Sequence, residues 1–383
     1  MVRRGGTGLR AWARSTLAGV SVALLAGGCS AGSPSNTSSS SVPSASTAQA
    51  VHGEVMVALE PGPRAQPIHN RISLRRPDGS VIVSHSFTPR SAPRVNFAAP
   101  VLAPEATVID GHAYYADGEG RVRALAVDGI EQQVAQFPLT GSQQSLSFAV
   151  SPDGSRLVGA VFTWPEPSPS PGQAFGPGNF ALDIYTSSPG QAATRIRHQE
   201  WPQTEPPTDA VTVVGWALAG PVVTTDMPPA TQQSSPGLWF WGHVSTLGPD
   251  GRPQRQLGGS GCRAVAVNPD GTVLCVSQSA SAQTRNPDGS LLFEAKKPGD
   301  GGFTLSPDGQ RVTAGTQVAG KDGRVVQLPS TFVGQGWLDS QTVIGVQATP
   351  QGESNVDELK LASPRQVKDL GFQGLFVGAF NVP

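Results

Sequence analysis

Apolar and polar positions alternate in short runs along most of the chain, and tripeptides with strong turn preference cut the runs at intervals. "SLSFAVSPDGSRLVGAVF" (145–162), "GCRAVAVNPDGTVLCVS" (261–277) and "GGFTLSPDGQRVTAG" (301–315) share one plan. An apolar strand meets Ser or Asn, then Pro-Asp-Gly, then a polar residue and a second apolar strand. Proline presets one backbone angle, Ser or Asp bonds the backbone two residues on, and glycine accepts a positive φ, so each unit predicts an antiparallel hairpin.

The turns fall into two alternating classes. The first lies at 110–111, 151–154, 218–220, 268–271, 306–309 and 338–340. The second lies at 76–79, 127–129, 187–190, 248–251, 286–289, 321–323 and 363–366. Two hairpin turns per repeat predict a four-stranded antiparallel blade, and serial repetition of blades predicts an all-β propeller. Seven turns of the second class predict seven blades. "GEVMVAL" (53–59) lacks an inner strand before it, whereas the C-terminal "GLFVGAFNVP" looks like the inner strands elsewhere. The C-terminal strand is therefore expected to complete the first blade and close the ring, which removes a long open edge. "QRVTAGTQVAGKDGRVVQL" (310–328) barely holds three strands, so a six-bladed ring is the alternative.

The recurring Ser/Asn-Pro-Asp-Gly turn resembles the TolB-type, WD-repeat-like bacterial propeller repeat over most of residues 53–383. That resemblance implies the fold but spans scaffolds and enzyme-associated domains alike.

The first 50 residues break the pattern. Arg3, Arg4, Arg10 and Arg14 precede a short apolar stretch ending at "LLAGGCS", too short to span a bilayer and read as a signal peptide over 1–28. The small residues before Cys29 resemble the lipobox of bacterial lipoproteins, which implies lipidation of Cys29 and anchoring to the extracytoplasmic face of the cell membrane. Residues 29–50, "CSAGSPSNTSSSSVPSASTAQA", lack core-forming side chains and are expected to be a flexible tether, with the propeller over 51–383.

Composition removes several function classes. With 383 residues, a formal net charge of −1 and only five lysines (Lys296, Lys297, Lys321, Lys360, Lys368), the chain has no basic run suited to nucleic acid. Gly28-Cys29-Ser30-Ala31-Gly32 matches a nucleophile-elbow pattern only formally, since it lies at the signal-peptide junction. The six histidines are dispersed, and Asp110, Asp117 and Glu119 are read as parts of adjacent hairpin turns, so no metal and no cofactor is expected. Cys262 and Cys275 are a candidate disulfide. The hairpin register places Cys275 opposite Ala264 or Val265, so the bridge needs a bend that brings the Cα atoms within about 7 Å.

The tight turns should share one face and the long Pro-rich loops the other. Trp164, Phe175, Phe180, Trp201 and Met227 lie in or beside three neighbouring loops, with Trp239 near them, and together form the candidate ligand face. The expectation is a non-catalytic binding or scaffold module for an envelope protein, peptide or glycan. A lactonase or quinoprotein-like propeller with a central-channel site is the alternative.

Overall fold

The computed structural model describes residues 51–61, 69–90, 106–168, 176–204, 207, 209–218, 220–225, 242–276, 281–295, 302–349, 352–362 and 365–383. Its strands are β1 (Gly53–Pro61), β2 (His69–Arg75) and β3 (Val81–Ser86), then β4 (Ala106–Ile109), β5 (His112–Ala116), β6 (Arg121–Leu125) and β7 (Glu131–Gln136). They continue with β8 (Gln144–Val150), β9 (Leu157–Thr163), β10 (Asn179–Ser187) and β11 (Thr194–Pro202), and with β12 (Thr212–Ala217), β13 (Gly220–Thr224), β14 (Val244–Leu247) and β15 (Pro253–Gln256). Next come β16 (Arg263–Val267), β17 (Val273–Val276), β18 (Ala282–Arg285) and β19 (Leu291–Ala295), followed by β20 (Phe303–Leu305), β21 (Arg311–Ala314), β22 (Gln317–Gly320) and β23 (Val325–Gln327). The last are β24 (Phe332–Asp339), β25 (Thr342–Thr349), β26 (Gly352–Lys360), β27 (Val367–Asp369) and β28 (Leu375–Val382).

These strands form seven four-stranded antiparallel sheets, and the chain is a seven-bladed β-propeller. Blade one is β28-β1-β2-β3; blades two to seven are the successive quartets from β4–β7 to β24–β27. The innermost strands abut in sequence, β4 on β8, β8 on β12, and so on until β24 meets β28 and β28 meets β4. The C-terminal strand is thus the inner strand of the first sheet, pairing with β1 from Gly53↔Val382 to Leu59↔Leu375. The six-bladed alternative is corrected: residues 303–327 hold four strands, β20 to β23, two of only three residues, which is why their pattern was faint.

Position within a blade governs burial. Val55, Met56, Val57, Ala58 and Leu59 of β1 are all buried, because a second strand is covered on both faces by neighbouring blades. The outermost β11, "TRIRHQEWP", instead alternates toward solvent.

The turn chemistry is explicit at Ser151–Gly154. Gly154 sits at φ 68° and donates its N–H to the Ser151 carbonyl at 2.8 Å, while Ser151 Oγ accepts the Arg156 N–H at 2.9 Å. Asp153 accepts from the Ser151 and Ser155 hydroxyls and from the Ser155 N–H, which lowers its pKa to about 2. Ser306–Gly309 repeats the arrangement, with Gly309 at φ 66° and Ser306 Oγ accepting the Arg311 N–H at 2.9 Å. All turns of the first class join first to second strands and all of the second class join third to fourth. In an up-and-down sheet alternate connections share an end, so both classes lie on one face of the ring.

Candidate functional site

A cavity of 560 Å³ opens on that turn face, at the seam between blades three and four. Blade three contributes Arg156, the start of β9, and the β10–β11 turn with its flanking strands. Blade four contributes Trp216, Gly220, Pro221 and the stretch from Leu247 to Pro249. The volume lies within the range of about 300–1,000 Å³ common for small-ligand sites. Aliphatic walls come from Leu157, Val158, Ile196 and Leu247. Thr186, Ser188, Gln191 and Thr194 add hydroxyl and amide groups, while the Ser187 hydroxyl is already engaged with the carbonyls of Ser188 and Gln191.

Arg156 is the one charged residue among the described residues of this lining. It is exposed, and its guanidinium carbon stands 5.1 Å from the centroid of the Trp216 ring, a cation–π distance. Trp216 itself is buried, 9% exposed, and belongs to the core shared by blades three and four. Among its described residues the lining holds no Asp, Glu, His, Cys, Lys or Tyr. The described lining thus joins a cation, hydrogen-bonding groups and apolar walls.

Several charges elsewhere in the fold are closed on one another. Glu60, 1% exposed, is gripped by Arg71, Ser73 and Arg75, and Arg75 stacks 4.0 Å from the Phe372 ring centroid. Asp117 accepts from the Glu119 and Arg121 backbone and pairs with the Arg121 side chain at 2.6 Å. This carboxylate thus holds the turn before β6 together. Glu131 is bound by Tyr115, Arg123 and His85, and Tyr115, desolvated and donating to Glu131, has its pKa raised.

The inner strands that face the ring axis are poor in ionisable groups. The seven innermost strands carry only two ionisable side chains, Arg263 at the start of β16 and Asp339 at the end of β24. Paired carboxylates or histidines of the kind a channel hydrolase requires are missing from these strands.

The expected ligand face needs correction. Trp164 and Phe180 are 4% and 2% exposed, and Trp201 is 9% exposed; all three pack in the core of blades three and four around Phe162. Phe162 lies 5.0 Å from Trp164 edge-on, 6.0 Å from Phe180 and 6.4 Å from Trp201. Phe180 and Trp201 are directly paired in the β10–β11 ladder, and Trp201 donates to Asp209 at 2.9 Å. Burying four large aromatic rings together outweighs presenting them to solvent. Phe175, Met227 and Trp239 lie outside the described residues, as do Cys29 and the signal peptide.

Cys262 and Cys275 form a disulfide with Cα atoms 5.1 Å apart. Cys275 pairs with Ala264 and a bulge separates Ala264 from Ala266, as the register demands. Gly258, Gly259 and Gly261, at φ 74°, 76° and 82°, bend the chain before Cys262 back over β17. A side chain at 258 would meet Cys262 Sγ at 2.8 Å, so the bend has room for glycine alone.

Arg156 and Trp216 were not singled out by sequence. A signal was present: Arg follows the Ser-Pro-Asp-Gly-x turn twice, at 156 and 311, and Gly-Trp ends the next blade's first strand twice, at 216 and 337.

No family model matches the chain, and no curated protein matches it. Solved structures similar in chain path include an oligogalacturonate lyase in complex with manganese, 11% identical over 77% of this chain and 83% of that one, TM-score 0.47. An oligogalacturonate lyase from Vibrio parahaemolyticus is 9% identical over 82% and 92%, TM-score 0.49. BamB from Moraxella catarrhalis is 10% identical over 76% and 89%, TM-score 0.34. At such identities no functional residue is carried across.

Proposed function

We propose that this chain is a lipid-anchored, extracytoplasmic propeller of the TolB-like type. In this reading it serves as a non-catalytic binding or scaffold module for an envelope protein, peptide or glycan. The observation that carries the reading is the seam cavity, which combines one open cation, hydroxyl and amide groups and aliphatic walls, with no carboxylate, histidine, cysteine or lysine among its described residues. The scarcity of ionisable groups on the inner strands supports a binder over a channel enzyme. The Arg-rich N-terminus and the small residues before Cys29 support export and anchoring.

The test is crosslinking capture from intact membranes with the acylated protein as bait, comparing wild type with Thr194→Trp, which obstructs the cavity mouth without touching the core. The expected result is a defined partner held by wild type and lost by the variant. Capture of the same proteins by both would overturn the seam as the binding face, and no specific capture by either would overturn the scaffold reading.

A further inference from the structure

Arg156 has an internal counterpart, and the two differ in one respect. Arg156 and Arg311 each follow a Ser-Pro-Asp-Gly-x turn and each donate a backbone N–H to the turn serine at 2.9 Å. Each precedes a blade whose innermost strand carries Gly-Trp near its end, Trp216 in one case and Trp337 in the other. At the seam between blades six and seven the Arg311 guanidinium donates to the Ser340 carbonyl. With the Gln341 amide turned oxygen-first it also donates to that oxygen at 2.6 and 3.0 Å. Between blades three and four the guanidinium of Arg156 makes no hydrogen bond or ion pair with any described residue and meets only the Trp216 ring.

The turns of the two blades differ in length. In blade seven Trp337 pairs with Val343, and a register shift between Trp337 and Asp339 lengthens the turn so that Ser340 and Gln341 reach back to Arg311. In blade four Trp216 pairs with Pro221 and Ala217 with Gly220, one residue fewer. The blade-four turn also leans away, its Leu218 N–H donating at 2.7 Å to the Pro269 carbonyl of blade five. Among the described residues no oxygen acceptor caps Arg156 as Ser340 caps Arg311, and the space beside it is the 560 Å³ cavity.

We propose that this cavity binds the carboxylate of a ligand with an aliphatic body, Arg156 supplying the donor fork that Arg311 commits to protein oxygens. The walls of Leu157, Val158, Ile196 and Leu247 select the aliphatic part, and Gln191 and Thr194 lie at hand for flanking amides. A free acid and a peptide carboxyl terminus present the same chemistry. The inference deepens the binding reading above and rests on it for biological meaning.

The experiment is calorimetric titration of the intact chain with N-acetyl-leucine, N-acetyl-leucinamide, glucuronic acid and an acetylated pentapeptide ending in leucine. N-acetyl-leucine should bind at least tenfold more tightly than its amide, and Arg156→Gln should weaken it roughly ten- to a hundredfold. Arg156→Lys should recover part of the loss, and Thr194→Trp should block binding while the far-ultraviolet spectrum stays native. A pentapeptide tighter than the free acid assigns the site to a chain terminus, and the reverse assigns it to a small acid. Equal binding of acid and amide, wild-type affinity in Arg156→Gln, preference for glucuronic acid, or no binding of any probe at millimolar concentration would overturn the proposal. Those failures leave partner capture from membranes untouched, whereas no specific capture by wild type, with acid binding retained, would sink the scaffold reading alone.

Discussion

The seams after blade three and after blade six are built from the same sequence device and end in different states. Both place an arginine after a Ser-Pro-Asp-Gly-x turn and a Gly-Trp in the next blade, yet one seam caps its guanidinium with protein oxygens and the other leaves it over a cavity. Their turns also differ by one residue in length. The lesson is that one sequence device can end as a structural tie in one seam and as an open guanidinium beside a cavity in another. Two other seams show that ties between first turns are the ordinary arrangement: Leu218 donates to the Pro269 carbonyl, and Asn268 Nδ2 donates to the Ser306 carbonyl at 3.1 Å.

The largest way to break the comparison is at the tryptophans. Trp337→Ala should cost about 3–5 kcal/mol, as large-to-small core changes do, and Trp216→Ala somewhat less because it borders open space. Urea unfolding of both variants checks this, and equal losses would remove the distinction between a closed and an open seam. Next, replacing Cys262 and Cys275 by alanine should lower stability by about 3 kcal/mol, since the bridge closes a loop between residues 13 apart in sequence. That loss should leave N-acetyl-leucine binding unchanged, because the bridge lies in blade five.

Smaller, and more decisive for the comparison, is the pair of arginine variants. Arg311→Gln should cost about 1–2 kcal/mol because it strips a charged donor from carbonyl partners, whereas Arg156→Gln should cost no more than about 0.5 kcal/mol. Equal costs would contradict the view that only one of them is a structural tie. The smallest effect concerns His198 on the edge of blade three. It bonds Asp183 at 2.8 Å and Glu200 at 3.1 Å, and these partners raise its pKa above 6.5. Its stabilising contribution is complete below pH 6.5 and is lost as pH rises through the raised value. The stability difference between wild type and His198→Gln should therefore be larger at pH 5.5 than at pH 8.5, with ligand binding unaffected.

Most of the ring was legible because turn chemistry is local. Pro-Asp-Gly fixes its own hairpin, so alternation of two turn classes already encoded four-stranded blades, and the solitary strand at each end of the repeat encoded their pairing. Blade six was faint because strands of three residues show too little alternation to read. The site was not legible for a different reason. Trp164, Phe180 and Trp201 have the composition of a binding surface, but two sheets closing on Phe162 decide their burial, and that contact is long-range. Arg156 appeared as one more polar residue after a turn. That its guanidinium meets no acceptor among the described residues depends on contacts across the seam with the next blade, which no local pattern reveals.

The most direct test of this account is the rotation of the two guanidinium groups about their Nε–Cζ bonds, followed by nitrogen-15 arginine spectroscopy with Arg156→Gln and Arg311→Gln as assignments. Rotation should be hindered at Arg311 and free at Arg156, and saturating N-acetyl-leucine should slow Arg156 alone. Equal hindrance of both groups without ligand, or an Arg156 signal that the acid leaves unchanged, would contradict it.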